Sequence, residues 1–466
     1  MDKKLHVVIF PWLAFGHIIP FFNLSKFIAQ KGHKISFVST PRNIDRLPKL
    51  PPNFASSISL VKILLPKIEE LQENAEATTD IRNEEMEYLK KAFDGLETEL
   101  TRFLEDSDPD WIIYDFAPHW LPPIASRLGV SQVLFVIFNA WFLSFWGPLD
   151  SLINGSKYRN KPEDFMVPPK WIKFETKLAY RRYEANWILD ASQKNGSGFS
   201  DFYRTAKVID GCDAIILRHC YEFEPDWLNL LEEIYNKSMI PVGLMPPEIQ
   251  DNNIEESDDS WDFIRNWLDG QSKDSIVYVA LGSEVNPSQN QLTELALGLE
   301  LSGIAFFWVL RKVHGSSESD SVKLPSGFEE RVKGRGIVWS KWAPQLKILS
   351  HDSVGGFLTH CGWSSIVEGV MFGQPLITLP FLVDQGLNSR LIVDKMLGIE
   401  VPRNEQDGAY NRNSVAEAVK LVMLEEDGKI FREKAKEMSI IFGDRGLHKR
   451  YTDDFVEFLE KKREII

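Results

Sequence analysis

Short apolar runs with no polar alternation, each followed by a helical repeat, recur along this chain and leave few architectures open. Residues 5–11 read as a strand. A loop through Gly16 and His17 then leads to a helix from Pro20 that carries Phe21, Leu24 and Ile28 on one face. Gly32 ends that helix and residues 34–39 form the next strand, a βαβ unit whose right-handed crossover requires a parallel sheet. The runs 111–114 and 133–138 extend it, and their continuous apolar character is that of strands covered on both faces.

Between residues 246 and 262 the rhythm stops. Pro246 and Pro247 precede Glu248, Asp251, Glu255, Glu256, Asp258 and Asp259, an apolar-poor stretch suited to an exposed linker. The rhythm restarts with a strand at 276–281 and a helix announced by a capping box, Ser288 to Gln291, with Leu292, Leu295, Ala296 and Leu299 on its face. Strands at 304–310, 336–340, 355–359 and 376–379 alternate with further helices. The reading is α/β, two doubly wound Rossmann-like domains: residues 1–245, an acidic linker 246–262, a second domain 263–445, and a terminal segment 446–466 whose residues 449–462 are helical. At 466 residues the chain exceeds the size at which one core usually stops growing, so two cores are expected.

Charge narrows the partners. Lys and Arg total 53 against 67 Asp and Glu, and the net charge of -14 repels nucleic-acid phosphates and anionic membrane surfaces. The longest apolar stretch, 133–146, is broken by Asn139 and Ser144 and falls short of the ~20 residues a spanning helix needs. The amino end has too short an apolar run for a signal-peptide core. Cys212, Cys220 and Cys361 are too scattered for a disulfide framework or a structural zinc site. A cytoplasmic monomer without a membrane span, a bound metal or a nucleic-acid partner is the expectation.

The densest polar signal lies in the second half: Trp342-Ala343-Pro344-Gln345, then His360-Cys361-Gly362-Trp363-Ser364-Ser365, then Glu368, and finally Asp384-Gln385. Each piece stands where the carboxyl end of a strand meets a loop or a helix start, the place at which open α/β sheets bind ligands. Gly362, Ser364 and Ser365 immediately precede an apolar helix at 366–372, so backbone N–H groups and the helix dipole form an anion site suited to a diphosphate. Singly these residues are ordinary: a lone tryptophan is usually core, a lone histidine a satisfied polar group, and a serine at a helix start a cap. Their joint spacing carries the reading.

On those residues the chain resembles the plant family 1 UDP-glycosyltransferases, whose signature box carries the same Trp, Gln, His-Cys-Gly-Trp, Glu and Asp-Gln elements. The resemblance implies a GT-B fold, with two Rossmann-like domains facing each other across a cleft. It implies a UDP-sugar donor on the second domain and a lipophilic small-molecule acceptor on the first. It assigns Trp342 to stacking on uracil, Ala343 to backbone contacts with the base edge, and Glu368 to the ribose hydroxyls with Gln345 nearby. His360, Ser365 and Ser283 would hold the phosphates, and Trp363, Asp384 and Gln385 would line the sugar. These roles suit the side chains: an indole offers a base a flat face, about 1–3 kcal/mol by analogy with single-strand stacking, and a carboxylate accepts well from paired hydroxyls.

The same resemblance makes His17 the general base that takes the proton from the acceptor hydroxyl, and Asp115 the carboxylate that orients its ring. Imidazole titrates near neutrality, and a positioned base contributes about 100- to 10,000-fold. The pair is the histidine–carboxylate half of a triad. Without the box, the plainer reading is a helix-entry residue and a strand-end turn residue. The implied reaction is one displacement with oxocarbenium character that inverts the anomeric centre. It uses no cofactor, since the UDP-sugar is a co-substrate, and gives the helix start and His360 the task of stabilising the departing diphosphate. The terminal helix is expected to pack back across the first domain.

Ser364 stands where most members of the family carry Asn, which bears on donor identity. The Ser-Ser form of the box, with the stretches 11–17, 114–120 and 401–405, resembles the branch that extends existing glycosides by adding glucose or rhamnose to a sugar already on a flavonoid or terpenoid. Direct transfer to an aglycone hydroxyl stays open, and Gln385 favours glucose mildly. Phe138, Asn139, Ala140, Trp141, Phe142 and Trp187 read either as an acceptor pocket or as core, and Asn139 alternatively as reaching the donor sugar. A nicotinamide oxidoreductase lacks support, because no Gly-x-Gly-x-x-Gly follows a strand. A binding protein without catalysis would have no use for both His17 and Asp115.

Overall fold

The computed structural model describes residues 4–154, 159–249, 259–310 and 323–463. Seven parallel strands form the first sheet: β1 (His6–Phe10), β2 (Lys34–Ser39), β3 (Ile58–Lys62), β4 (Trp111–Tyr114), β5 (Ser131–Val136), β6 (Ala214–Leu217) and β7 (Ser238–Pro241), in the order β3-β2-β1-β4-β5-β6-β7. Six more form the second: β8 (Ile276–Ala280), β9 (Ala305–Val309), β10 (Gly336–Trp339), β11 (Val354–Thr359), β12 (Leu376–Thr378) and β13 (Gly398–Glu400), in the order β10-β9-β8-β11-β12-β13. Every residue of β4 and of β8 is buried, which is why neither run alternates.

Strand order reverses at the centre of each sheet. β1 lies beside β4, with Phe10 opposite Tyr114, and β8 lies beside β11, with Ala280 opposite Thr359. The loops leaving such a pair turn to opposite faces and open a crevice between them. Each domain therefore presents one crevice at the carboxyl ends of its strands.

The first helix spans Phe15–Gln30, so His17 lies in its first turn and not in a preceding loop. The Ala14 carbonyl nucleates it by accepting from the N–H groups of His17 and Ile18, both at 2.8 Å. Pro20 lies inside the helix and cannot make the hydrogen bond that an N–H there would give to the residue four positions back. In the second domain Ser288 caps the helix Gln289–Ser302, and the Gln291 side chain returns to the Ser288 N–H at 2.8 Å. The helix Asp259–Asp269 begins inside the stretch read as a linker, and residues 250–258 of that stretch lie outside the described residues.

The terminal helix Arg445–Arg463 packs on the first sheet. Phe455, Val456 and Leu459 are buried in the same core as Ile9, Trp111 and Ile113, and the Trp111 indole N–H donates to the Leu459 carbonyl at 3.2 Å. Ion pairs add to the contact between domains: Arg390 to Glu184 at 2.6 Å and Arg181 to Glu400 at 3.0 Å. Among the described residues no helix is long and apolar enough to cross a membrane.

Candidate active site

A cleft of about 1980 Å³ is lined by residues of both domains. On the first side, the turn after β1 starts the helix that carries His17, and Asp115 directly follows β4. The two strands are neighbours in the sheet, so the side chains meet: His17 Nδ1 lies 2.7 Å from Asp115 Oδ2. The carboxylate is fixed by the backbone, with Trp12 N–H donating to Oδ2 at 3.1 Å and Phe116 N–H to Oδ1 at 2.8 Å. His17 is 8% exposed and borders the cleft, flanked by the rings of Phe116 and Phe138. With Nδ1 occupied by Asp115, Nε2 is the nitrogen left for a substrate.

On the second side, Ser283 is exposed on the loop after β8, and His360 follows β11. A Cβ at Gly282 or at Gly362 would stand 2.6 Å from His360 Nε2, so both glycines are required by the close approach of their backbones to that ring. Gly362 caps the helix Trp363–Met371, and Ser364 and Ser365 lie half-buried in its first turn, facing the cleft. Burial pushes the His360 pKa down to about 4, which makes the ring neutral at physiological pH. Trp342 follows β10, is 60% exposed on the cleft wall, and stacks on no ring among the described residues.

Three residues of the box stand back from that wall. Ala343 is buried. Gln345 and Glu368 pair with each other at 2.6 Å, and burial raises the Glu368 pKa. Asp384 and Gln385 line the cleft. Asp384 is buried, which pushes its pKa up to about 6, and its Oδ2 accepts from Asn388 at 2.7 Å. The Gln385 side-chain oxygen accepts from the N–H groups of Phe381 and Leu382, both at 2.9 Å.

Trp363 borders the cleft but is 4% exposed, with its indole N–H donating to the Arg218 carbonyl at 3.0 Å and its ring edge-on to Trp141. It thereby also joins the domains. Asn139 does the same. Its oxygen caps the helix Ala140–Trp146, and its NH₂ donates to the Asn388 oxygen, which also accepts from Trp141 Nε1 at 2.9 Å. Asn139 is wholly buried, engaged with Phe142 N–H and Asn388, and stands behind the cleft wall. Phe138, Phe142 and Trp187 do line the cleft, whereas Ala140 and Trp141 are core. Among the described residues no three His, Cys, Asp or Glu side chains converge as a metal-ion ligand set.

Residues 228–458 match the family model of UDP-glucoronosyl and UDP-glucosyl transferases. Over 98% of its length the chain is 51% identical to UDP-glycosyltransferase 91D2 of Stevia rebaudiana, covering 95% of that protein. The chain belongs to the plant family 1 UDP-glycosyltransferases. It is also 42% identical to the soyasaponin III rhamnosyltransferase of Glycine max, over 99% of this chain and 97% of that one. Among solved structures it resembles Glycyrrhiza uralensis UGT73P12 with a TM-score of 0.81 at 22% identity, over 99% of this chain and 97% of that one, a likeness of fold. The two sheets facing one cleft are the GT-B arrangement.

Sequence reasoning about this glycosyltransferase missed Arg218, Glu284 and Asn388. For Arg218 a signal existed, since it follows β6 directly, as Asp115 follows β4, and strand ends are where such sheets hold ligands. Glu284 follows Ser283 on the same loop and lines the cleft. Burial raises the pKa of its carboxyl, against the opposing effects of Thr78 and His17 beside it. Asn388 carries no local signal, because its partners Asn139 and Trp141 lie in the other domain.

Proposed function

We propose that this enzyme transfers glucose or rhamnose from UDP to a hydroxyl of a plant small-molecule glycoside, such as a terpenoid or flavonoid glycoside, forming a sugar–sugar bond. The observation that carries the chemistry is the buried pair of His17 and Asp115 at 2.7 Å, set in the same cleft as the helix start at Trp363. His17 Nε2 takes the acceptor proton. Asp115 holds the other nitrogen protonated and stabilises the imidazolium that forms. The freed oxygen attacks the anomeric carbon from the side opposite UDP, and the pair of the breaking C–O bond passes to the β-phosphate, so configuration inverts.

On the donor side the free face of Trp342 receives uracil, and Glu368 with Gln345 receives the ribose. Ser283, Ser365, His360 and the N–H groups after Gly362 receive the diphosphate. His360 is neutral and contributes a hydrogen bond, not a charge. Asp384 and the Gln385 amide meet the sugar. No cofactor or metal ion enters this scheme, and the setting is a cytoplasmic monomer.

The wall around His17 supports a sugar-bearing acceptor because it is of two kinds. Phe116, Phe138, Phe142, Leu143 and Trp146 offer an apolar surface, while Thr78, Asp80, Arg46 and Glu284 offer groups that bind hydroxyls. The rhamnosyltransferase among the relatives supports keeping rhamnose beside glucose as donor. A mass-spectrometric screen decides the matter, with UDP-glucose and UDP-rhamnose offered against flavonoid and terpenoid aglycones and their monoglucosides, in EDTA. Products from monoglucosides alone are expected. Products from aglycones alone would overturn the sugar–sugar assignment, and a rate abolished by EDTA would overturn the metal-free scheme.

A further inference from the structure

We propose that Arg218, supplied by the acceptor-side domain, binds the donor diphosphate and takes up the negative charge that develops on it during transfer. The proposal rests on placing the diphosphate at the start of the helix Trp363–Met371. Arg218 leaves the end of β6 and crosses to that helix start, where Nη1 donates to Ser364 Oγ at 2.7 Å while Nη2 donates to the Leu244 carbonyl at 3.0 Å. It is 5% exposed, yet it lines the cleft.

Its charge is met by no ion pair: the nearby carboxylate that acts on it is Glu368, on the same helix as Ser364, and that group is hydrogen-bonded to Gln345. The other arginines of the cleft wall, Arg42 and Arg46, both pair with Asp80, and Lys90 pairs with Asp201. Lys323 is exposed at the rim. Among the described residues no carboxylate lies within ion-pair distance of Arg218, and its buried Nε has no hydrogen-bond partner. A buried, unpaired cation is costly, and a bound anion removes that cost. Burial lowers its pKa only to about 10, so it remains charged near neutrality.

The anion site needs such a charge. His360 is neutral, and Ser283 and Ser365 offer hydroxyls, so without Arg218 the departing UDP would meet only dipoles. As the anomeric C–O bond breaks, one further negative charge appears on the β-phosphate, and the guanidinium donates to it while the acceptor proton resides on His17. The serine at position 364 is consistent with this. Its short side chain leaves the helix start open to an arginine from the opposite domain and anchors it through Oγ. Donor binding thereby involves both domains.

The test compares UDP with uridine. In Arg218→Met, calorimetry should show UDP affinity falling by roughly tenfold or more, as expected for a lost charge-assisted hydrogen bond, with uridine affinity nearly unchanged and turnover reduced. Arg218→Lys should restore part of the UDP affinity. A ratio of UDP to uridine affinities equal to the wild type's in Arg218→Met overturns the proposal, whatever happens to turnover. Should that variant not fold, a crystal structure of the wild type with UDP decides: a phosphate oxygen within hydrogen-bond distance of the guanidinium supports it, and a guanidinium bound only to Ser364 and Leu244 overturns it. A wild type that binds uridine as tightly as UDP would remove the diphosphate site itself, and the proposal with it.

Discussion

Replacing Asp115 by Asn changes one atom and should nearly stop the reaction. The carboxylate faces three donors: His17 Nδ1 at 2.7 Å and Trp12 N–H at 3.1 Å on Oδ2, and Phe116 N–H at 2.8 Å on Oδ1. A carboxylate accepts at both ends and an amide at only one. With the amide oxygen on the His17 side, the NH₂ group confronts the Phe116 N–H and leaves it unpaired, at about 1–3 kcal/mol. With the amide reversed, the NH₂ donates to Nδ1 and forces the imidazole proton onto Nε2, the atom that must accept from the acceptor hydroxyl. Either orientation also removes the negative charge that stabilises the imidazolium. The corresponding change in a serine-protease triad costs about 10,000-fold, so a loss of roughly 1,000- to 10,000-fold, about 4–5.5 kcal/mol of barrier, is expected here. Initial rates with the donor and acceptor found by the screen measure it, and calorimetry with UDP should show unchanged affinity. A rate within about tenfold of the wild type would mean that Asp115 neither sets the tautomer nor supports the charge.

Three further outcomes are expected. His17→Ala should keep UDP affinity and lose about 100- to 10,000-fold in turnover, and wild-type turnover would place the base elsewhere. Asn388→Ala strands two buried donors, Asn139 Nδ2 and Trp141 Nε1, and should cost about 2–6 kcal/mol in denaturant unfolding. Asp384 has a folded pKa of about 6 against 3.8 unfolded, so the folded state holds the extra proton between those values. Stability of the wild type relative to Asp384→Asn should therefore fall as pH rises from about 4 to about 6 and level off above, as read from thermal unfolding at stepped pH.

How much the sequence disclosed follows from the range over which each feature is encoded. β4 spans Trp111–Tyr114, the residues read from the apolar run, because a strand covered on both faces announces itself by composition. The Ser288 cap was equally legible, since both halves of a capping box lie three residues apart. The first helix was misplaced by the weight given to Pro20 as a start signal, when the Ala14 carbonyl had already begun the turn. Asn139 and Trp363 have a role between the domains that the sequence does not display, for a different cause. Each looks like a polar or aromatic group beside a ligand, and each finds its partner in the other domain, Asn139 on Asn388 and Trp363 on the Arg218 carbonyl. No local pattern encodes a contact between residues so far apart along the chain.

Those long-range contacts also explain how one geometry holds across a divided site. Asn388 gathers Asn139 and Trp141 on its oxygen and donates to Asp384 and to the Cys361 carbonyl. Trp141 stands edge-on to Trp363 at 5.1 Å, Trp363 donates to the Arg218 carbonyl, and Arg218 donates to Ser364. The chain of contacts runs without a gap from the loop proposed to hold the sugar to the helix start proposed to hold the diphosphate. At two points it passes through the domain that carries His17. A misplacement of about 1 Å between reacting groups can cost about 100-fold in rate, and the two crossings of the chain, at the linker and at the terminal helix, would not hold that tolerance by connectivity alone. Burying amides and indoles fixes the base relative to the donor, because these groups lose a hydrogen bond on any slip, whereas an apolar contact would tolerate one. The polar character of this interface thus follows from the same demand that puts His17 and the donor box on separate domains.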